Sequence, residues 1–225
     1  MLHRILLPLA ILTLSHGAFA QNKPGTQLHI KRAQGEIKLD GIIDEPDWLA
    51  ADVAGNWYLN YPVDTVQAPF QTEARLTFND HFLYVSIVCY DDQSPDLINS
   101  LRRDFDYERN DNVGFNIGPF NDRINGFFFA ITPAGVQMEG TISGSGTSES
   151  SFNTYWDNKW YSKVVRYPDK WICEFAIPFK SFRYKALDEW NIAFDRFDRK
   201  RNMRSAWIHT PIQYNTGSFP YSGQL

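Results

Sequence analysis

The chain has 225 residues, with 22 Lys and Arg against 26 Asp and Glu, a net charge of −4 and a pI near 5.7. Nucleic-acid proteins normally carry a basic excess or a concentrated basic face toward phosphates, so this balance excludes that class. Hydrophobic residues at 43% and charged residues at 21% exclude intrinsic disorder, and the 16% aromatic share exceeds what one modest core requires, leaving rings for a surface.

Residues 1–20 read as an export signal: Arg4 in a short basic start, an apolar run over 5–14, and Ala18 and Ala20 flanking Phe19. The apolar run is shorter than the about 20 residues that span a bilayer, and no later stretch is long enough, so no transmembrane helix is expected. No Cys ends the signal, which argues against a lipid-modified N-terminus. Residues 21–29 follow as a tail, 30–210 as one β-sandwich domain, and 211–225 as a C-terminal extension.

The segment KLDGIIDEPDW over 38–48 turns at Asp40-Gly41 and gathers Asp44, Glu45 and Asp47 before Trp48. Such oxygen clusters suit Ca²⁺, which takes six to eight oxygen ligands, and Asp40, Asp44 and Glu45 are the candidate ligands. The alternative is a helix start, with acids in the first turn and Trp48 plugging one end of the core. Beyond it the dominant pattern has period two, the mark of half-buried strands. Ala74, Leu76 and Phe78 turn at Asn79-Asp80 into Leu83, Val85, Ile87 and Cys89, which is a hairpin. Val113, Phe115 and Ile117 lead through Gly118, Pro119 and Gly126 to Phe127, Phe129 and Ile131, and Thr132-Pro133-Ala134-Gly135 turns again into Val136 and Met138.

Residues 143–151, SGSGTSESS, read as a mobile loop, since strand patterning resumes directly after it. Pro168-Asp169 separates a strand over 160–166 from Trp171, Cys173, Phe175 and Ile177, and Trp190, Ile192 and Phe194 supply another. Arg199-Lys200-Arg201 reads as a solvated turn, and only 47–51 and 180–184 suggest helical turns. Short strands at this spacing, joined by Gly, Pro, Asn and Asp, predict an all-β antiparallel sandwich. Leu83, Val85, Ile87, Val113, Phe115, Phe129, Trp171, Phe175 and Ile192 are directed inward. Cys89 and Cys173 lie on inward faces and read as buried thiols, with one inter-strand bridge left open by the export signal.

After residue 20 the histidines are His29, His81 and His209, none in a metalloprotease pattern, and there is no G-x-S-x-G elbow or phosphate loop. The reading is therefore non-enzymatic; Asp104 with Asp111 would be the carboxylate pair of a glycoside hydrolase, the distant alternative.

The ordered segments DGIIDEPDW, FNDHFLYV at 78–85, the run 102–137, WICEFAIPFKSFRY at 171–184 and WNIAFDRFDRKRNMRSAW at 190–207 resemble family 9 carbohydrate-binding modules. They are similar to the subgroup that precedes an uncharacterised outer-membrane β-barrel region in exported proteins of Bacteroidota-type bacteria. The resemblance covers roughly 30–207. It implies a β-sandwich, structural Ca²⁺ in some members, a carbohydrate ligand held between rings and polar side chains, and a barrel farther along a longer chain. The location implied is the periplasm, outer membrane or cell surface of a Gram-negative bacterium. The chain departs from the subgroup at Asp111-Asn112, Gly118, Thr132-Pro133 and near Met203, where acids or Asn-Pro are frequent.

Planar rings stack on the apolar faces of sugars while forked or amide groups satisfy hydroxyls. Trp156 and Trp160 are the candidate stacking rings, with Arg103, Asp111, Asn112 and Arg196 as polar candidates; Trp57, Tyr58 and Tyr61 are the fallback. The alternative reading of the Arg and Asp residues is an internal ion-pair network. The competing role for the whole chain is a structural or assembly domain of an outer-membrane barrel that binds no sugar.

Overall fold

The computed structural model describes residues 26–225, so the export signal expected over 1–20 and the start of the tail lie outside the described residues. One short helix, α1 (Pro46–Leu49), precedes or accompanies thirteen strands: β1 (Lys31–Arg32), β2 (Tyr58–Tyr61), β3 (Thr72–Phe78), β4 (Phe82–Tyr90), β5 (Asn112–Gly118), β6 (Gly126–Ile131), β7 (Gln137–Ile142), β8 (Phe152–Asn153), β9 (Tyr161–Arg166), β10 (Lys170–Pro178), β11 (Asn191–Asp198), β12 (Met203–Ala206) and β13 (Gly223–Gln224). The second helical turn expected, over 180–184, is a 3₁₀ turn at Phe179–Ser181.

The strands form two sheets. The smaller has the order β1-β3-β4-β10-β9, with β1 parallel to β3 and the other pairs antiparallel. The larger runs β2-β12-β11-β5-β6-β7-β8, with β13 on β11. The β3–β4 hairpin turns at Asn79, whose Oδ1 accepts the His81 and Phe82 N–H groups at 2.9 Å, and this sets the register Leu76↔Val85 and Ala74↔Ile87.

With register set, period two sends one face of each sheet inward. All nine residues directed inward by the sequence pattern belong to one buried cluster between the sheets. Phe115 of the larger sheet meets Phe175 of the smaller edge-on at 5.4 Å and Phe129 beside it at 5.4 Å. Each such side chain removed from water contributes about 1.5–3 kcal/mol. Cys89 and Cys173 are free buried thiols within this cluster, and burial pushes the Cys89 thiol up to about 12. Trp48 is fully buried but sits on the other side of the smaller sheet, under α1 with Ile37, Tyr84 and Ala176, rather than at one end of the main core.

Several boundaries differ from the sequence reading. Residues 211–225 pack as part of the sandwich: Phe219 is fully buried, β13 pairs with β11, and Gln224 exchanges backbone hydrogen bonds with Thr26 and Leu28 at 2.9 Å. The 143–151 segment is tied back on itself by Ser143 N–H to Ser151 O, 2.9 Å, and to the 119–125 loop by Ser145 N–H to Ile124 O, 2.9 Å. The 199–201 turn joins β11 to β12 as expected, but Lys200 and Arg201 are drawn into ion pairs with Asp91, so only Arg199 is exposed.

Candidate functional site

The outward face of the larger sheet is unusual because it is not left to solvent. Opposite Phe115 and Phe129 in phase, β5 to β7 and β11 present Gly114, Asn116, Phe128, Ala130, Met138, Gly140, Ala193 and Asp195, and all are buried. Loops over 103–110, 143–154 and 215–219 stand around this face, and Phe105, Phe128, Val136, Met138, Ile142 and Phe219 form a second apolar cluster on it. Small residues let the cover approach. A Cβ on Gly140 would lie 2.3 Å from Asn153 O and 2.4 Å from the Phe128 ring, so no larger residue fits beneath β8.

Between these loops lies a cleft of about 270 Å³. Its floor and apolar wall come from Phe128, Met138, Phe152 and Tyr107, and its polar groups from Asn116, Asp195, Asn215, Thr154, Glu108 and Glu149. Asp195 is 4% exposed; its Oδ1 accepts the Tyr107 hydroxyl at 3.0 Å and its Oδ2 accepts Thr216 Oγ1 at 2.8 Å. Burial lifts the Asp195 carboxyl above the usual carboxylate range against the pull of those two hydrogen bonds. Burial, with the Asp195 charge beside it, pushes the Tyr107 phenol well above its usual range, so it stays a donor. Tyr107 is also wedged edge-on against Phe197 at 4.9 Å. Asn116 donates through Nδ2 to Gly217 O at 2.6 Å, and its Oδ1 makes no hydrogen bond among the described residues. A mostly apolar wall with a few convergent donors and acceptors suits a small molecule that has one apolar face and hydroxyls at its edge.

The residues expected at a site divide into two groups that do not meet there. Trp160 is 4% exposed, its ring stacked on Phe175 at 5.2 Å and its Nε1 donating to Glu139 at 2.9 Å, so the expectation of a stacking platform is corrected to a core position. Trp156 is half-buried against Phe127 at 5.0 Å. Arg103 bonds the fully buried Glu139 together with Gln137 Oε1 at 2.7 Å and Asn158 O at 2.7 Å, pinning the 156–160 connection to β7. Arg103 and Trp160 line an open hollow outside the cleft, and Trp156 lines neither.

The other three also do structural work. Asp111 accepts Leu97 N–H at 2.7 Å and Lys200 N–H at 3.0 Å. Asn112 is fully buried and donates to Tyr107 O at 2.8 Å and Asn110 O at 3.0 Å, which holds the turn that carries Tyr107 into the cleft. Arg196 is 3% exposed between the sheets, donating to Tyr90 O at 2.9 Å and pairing with Asp91 at 3.3 Å. The ion-pair alternative is the one the geometry supports for it. The cleft residues themselves had one signal in the sequence: Asn116 and Asp195 fall on the outward phase of strands where the adjacent outward positions Gly114, Gly118 and Ala193 are small, a composition that a solvated face does not need.

For a cation, Asp40 Oδ1 is taken by Ile42 N–H at 2.9 Å and Glu45 Oε1 by Lys38 N–H at 3.0 Å, while Asp44 is exposed. Among the described residues no group of three or more His, Cys, Asp or Glu is arranged to hold a metal ion. No described helix is long and apolar enough to cross a membrane.

No protein-family model matches the chain, and no curated protein is significantly similar to it. Solved structures are. A family 9 carbohydrate-binding module from Caldicellulosiruptor kristjanssonii in complex with glucose superposes with a TM-score of 0.56 at 15% identity, covering 87% of this chain and 94% of that one. The same kind of module from that organism in complex with cellotriose gives 0.55 at 15%, covering 84% and 88%. A protein of Bacteroides uniformis ATCC 8492, provisionally described as carbohydrate-binding, gives 0.64 at 11%, covering 88% and 96%. At these identities the likeness is one of fold: this chain has the β-sandwich architecture of those proteins over nearly all of its described length.

Proposed function

We propose that this chain is a non-catalytic carbohydrate-binding module whose sugar lies in the cleft on the outward face of the larger sheet. The observation that carries the reading is the meeting of Tyr107, Phe128 and Phe152 with Asn116, Asp195 and Asn215 around one 270 Å³ space, ring faces beside hydrogen-bonding groups. The fold shared with modules whose structures hold glucose and cellotriose supports it. An exported module of a cell-surface or outer-membrane protein, preceding a barrel in a longer chain, is the setting we propose from the sequence resemblance and the signal over residues 1–20.

The test is a glycan array followed by calorimetric titration of the best hit. Phe152→Ala removes a ring from the wall and should weaken binding by about 1 kcal/mol or more, roughly fivefold, with the melting temperature nearly unchanged. Trp156→Ala should leave affinity unaltered. A folded sample that binds nothing on the array would overturn the reading and favour the structural role beside a barrel.

A further inference from the structure

The outward face of the larger sheet does not end at the cleft. One strand beyond β11 lies β12, and beyond it β2 at the sheet edge; Phe197 pairs with Arg204 and Arg204 with Tyr61, so these three stand side by side across the strands. They line a second hollow of about 250 Å³, which Asn202 and Ile212 also line.

The two hollows share a wall. Tyr107 and Glu108 line the first, and Phe197 and Arg204 line the second. The Arg204 guanidinium sits 3.9 Å above the Phe197 ring and reaches Glu108 at 3.3 Å, while Phe197 meets Tyr107 at 4.9 Å. Glu108 is 65% exposed and Arg204 25%, so the pair is a surface one, worth little to stability and easily parted. Beyond it, Tyr61 and Ile212 are each 44% exposed, and the Tyr61 hydroxyl makes no hydrogen bond among the described residues. The second hollow therefore sets a ring and an aliphatic surface beside hydrogen-bonding groups, as the first does, with the Arg204 guanidinium as its donor where the first has amides and carboxylates. From β11 to β2 is two strand spacings, roughly 10 Å, a separation bridged by linked sugar rings rather than by a single one.

We propose that the Tyr61–Arg204–Ile212 hollow is a second sugar subsite, so that a linear uncharged oligosaccharide with one ring in the first cleft passes over Arg204 and lays its next rings on Tyr61. The protein then reads chains in preference to single sugars. This inference rests on the first cleft being a sugar site.

The experiment is calorimetric titration of the chain with gluco-, xylo- and manno-oligosaccharides, all β-linked, from one to six units. In the series that binds, affinity should rise about tenfold from the single sugar to the tetrasaccharide. Tyr61→Ala, and separately Ile212→Ser, should leave the single-sugar affinity at the wild-type value and abolish most of that rise; thermal melting checks that each variant is folded. A wild type that binds single sugars with no gain along the series overturns the subsite alone. Variants that keep the full gain overturn it equally, and leave the exposed Tyr61 and Ile212 as a surface for a protein partner. A folded wild type that binds no member of any series overturns both this inference and the reading of the first cleft.

Discussion

Trp156 and Trp160 stand four residues apart and do different work. The Trp160 ring covers Phe175 and its Nε1 supplies one of the donors that make a fully buried Glu139 tolerable. Trp160→Ala should therefore cost about 3–5 kcal/mol in urea unfolding, because it opens a cavity and strips a donor from a buried acid. Glu174 poses the same problem on the other sheet. It is fully buried, with Oε2 accepting Asp40 N–H at 2.9 Å and Gly41 N–H at 2.7 Å and Oε1 accepting Trp48 Nε1 at 3.3 Å. Gly41 reaches it only as glycine: its φ is +84°, and a Cβ there would lie 2.2 Å from Val165. Burial lifts the Glu174 carboxyl to about 7, the two backbone donors pulling down and the Glu45 and Asp40 charges pushing up. The folded state thus holds a proton that the unfolded chain releases near 4.5. The stability this contributes is complete below about pH 4.5 and is lost as the pH rises through 7, to the extent of about 3 kcal/mol. Urea midpoints at pH 4.5, 6 and 8 should show this fall, and Glu174→Gln should lack it while keeping an acceptor for Asp40 and Gly41.

Among the elements, the cleft depends on β7 and β8 more than on any loop length. Gly140 lets Asn153 lie directly over β7, and the pairing Ile142↔Phe152 then turns Phe152 edge-on to Phe128 at 5.6 Å. Gly140→Ala should cost about 1–3 kcal/mol through overpacking and should displace the Phe152 wall, so ligand affinity falls along with the melting temperature. The 143–151 loop looked mobile from its Ser and Gly content alone. In place, its ends are joined by a backbone bond and Ser151 is buried, so the loop serves as one bank of the cleft, contributing Glu149.

At the scale of the whole molecule, the sheets are locked together at one end by a single carboxylate. Asp91, just past β4, pairs with Lys200 at 2.8 Å, Arg201 at 2.8 Å, and Arg196 and Arg166 at 3.3 Å each, drawing β9, β11 and the β11–β12 turn to one point. Burial opposes the charge, but the hydrogen bonds from Lys200 and Arg201 and the charge of Arg196 outweigh it and hold the Asp91 carboxyl below its usual range. Asp91→Asn leaves Arg196 buried with a weakened counter-charge and should cost about 3–5 kcal/mol, read from urea unfolding at pH 7. Because the Asp91 value is depressed, its contribution is present above the unfolded value of 3.8 and is lost as the pH falls, so the variant should differ least from wild type in strong acid.

How much of this was legible in the sequence follows from what pattern records. Alternation along 74–89, 113–117, 127–131, 171–177 and 190–194 determined the strands, their inward faces and the sandwich, because burying one face of a pleated strand needs only local period two. Aromatic surplus and ordered motifs carried the resemblance. The site was another matter. Arg103, Asp111, Asn112 and Arg196 are polar residues in the right neighbourhoods, yet Asn112 is consumed by its own turn and the others by partners distant in sequence, such as Glu139 for Arg103 or Asp91 for Arg196. Only the tertiary structure decided that the outward face of the larger sheet is walled by three loops, and that Tyr107, Asn116, Phe152 and Asp195 meet there. Period two tells which residues share a face of a strand; whether that face meets water, a second sheet or a loop depends on contacts between segments as much as a hundred residues apart, such as Asn116 with Gly217.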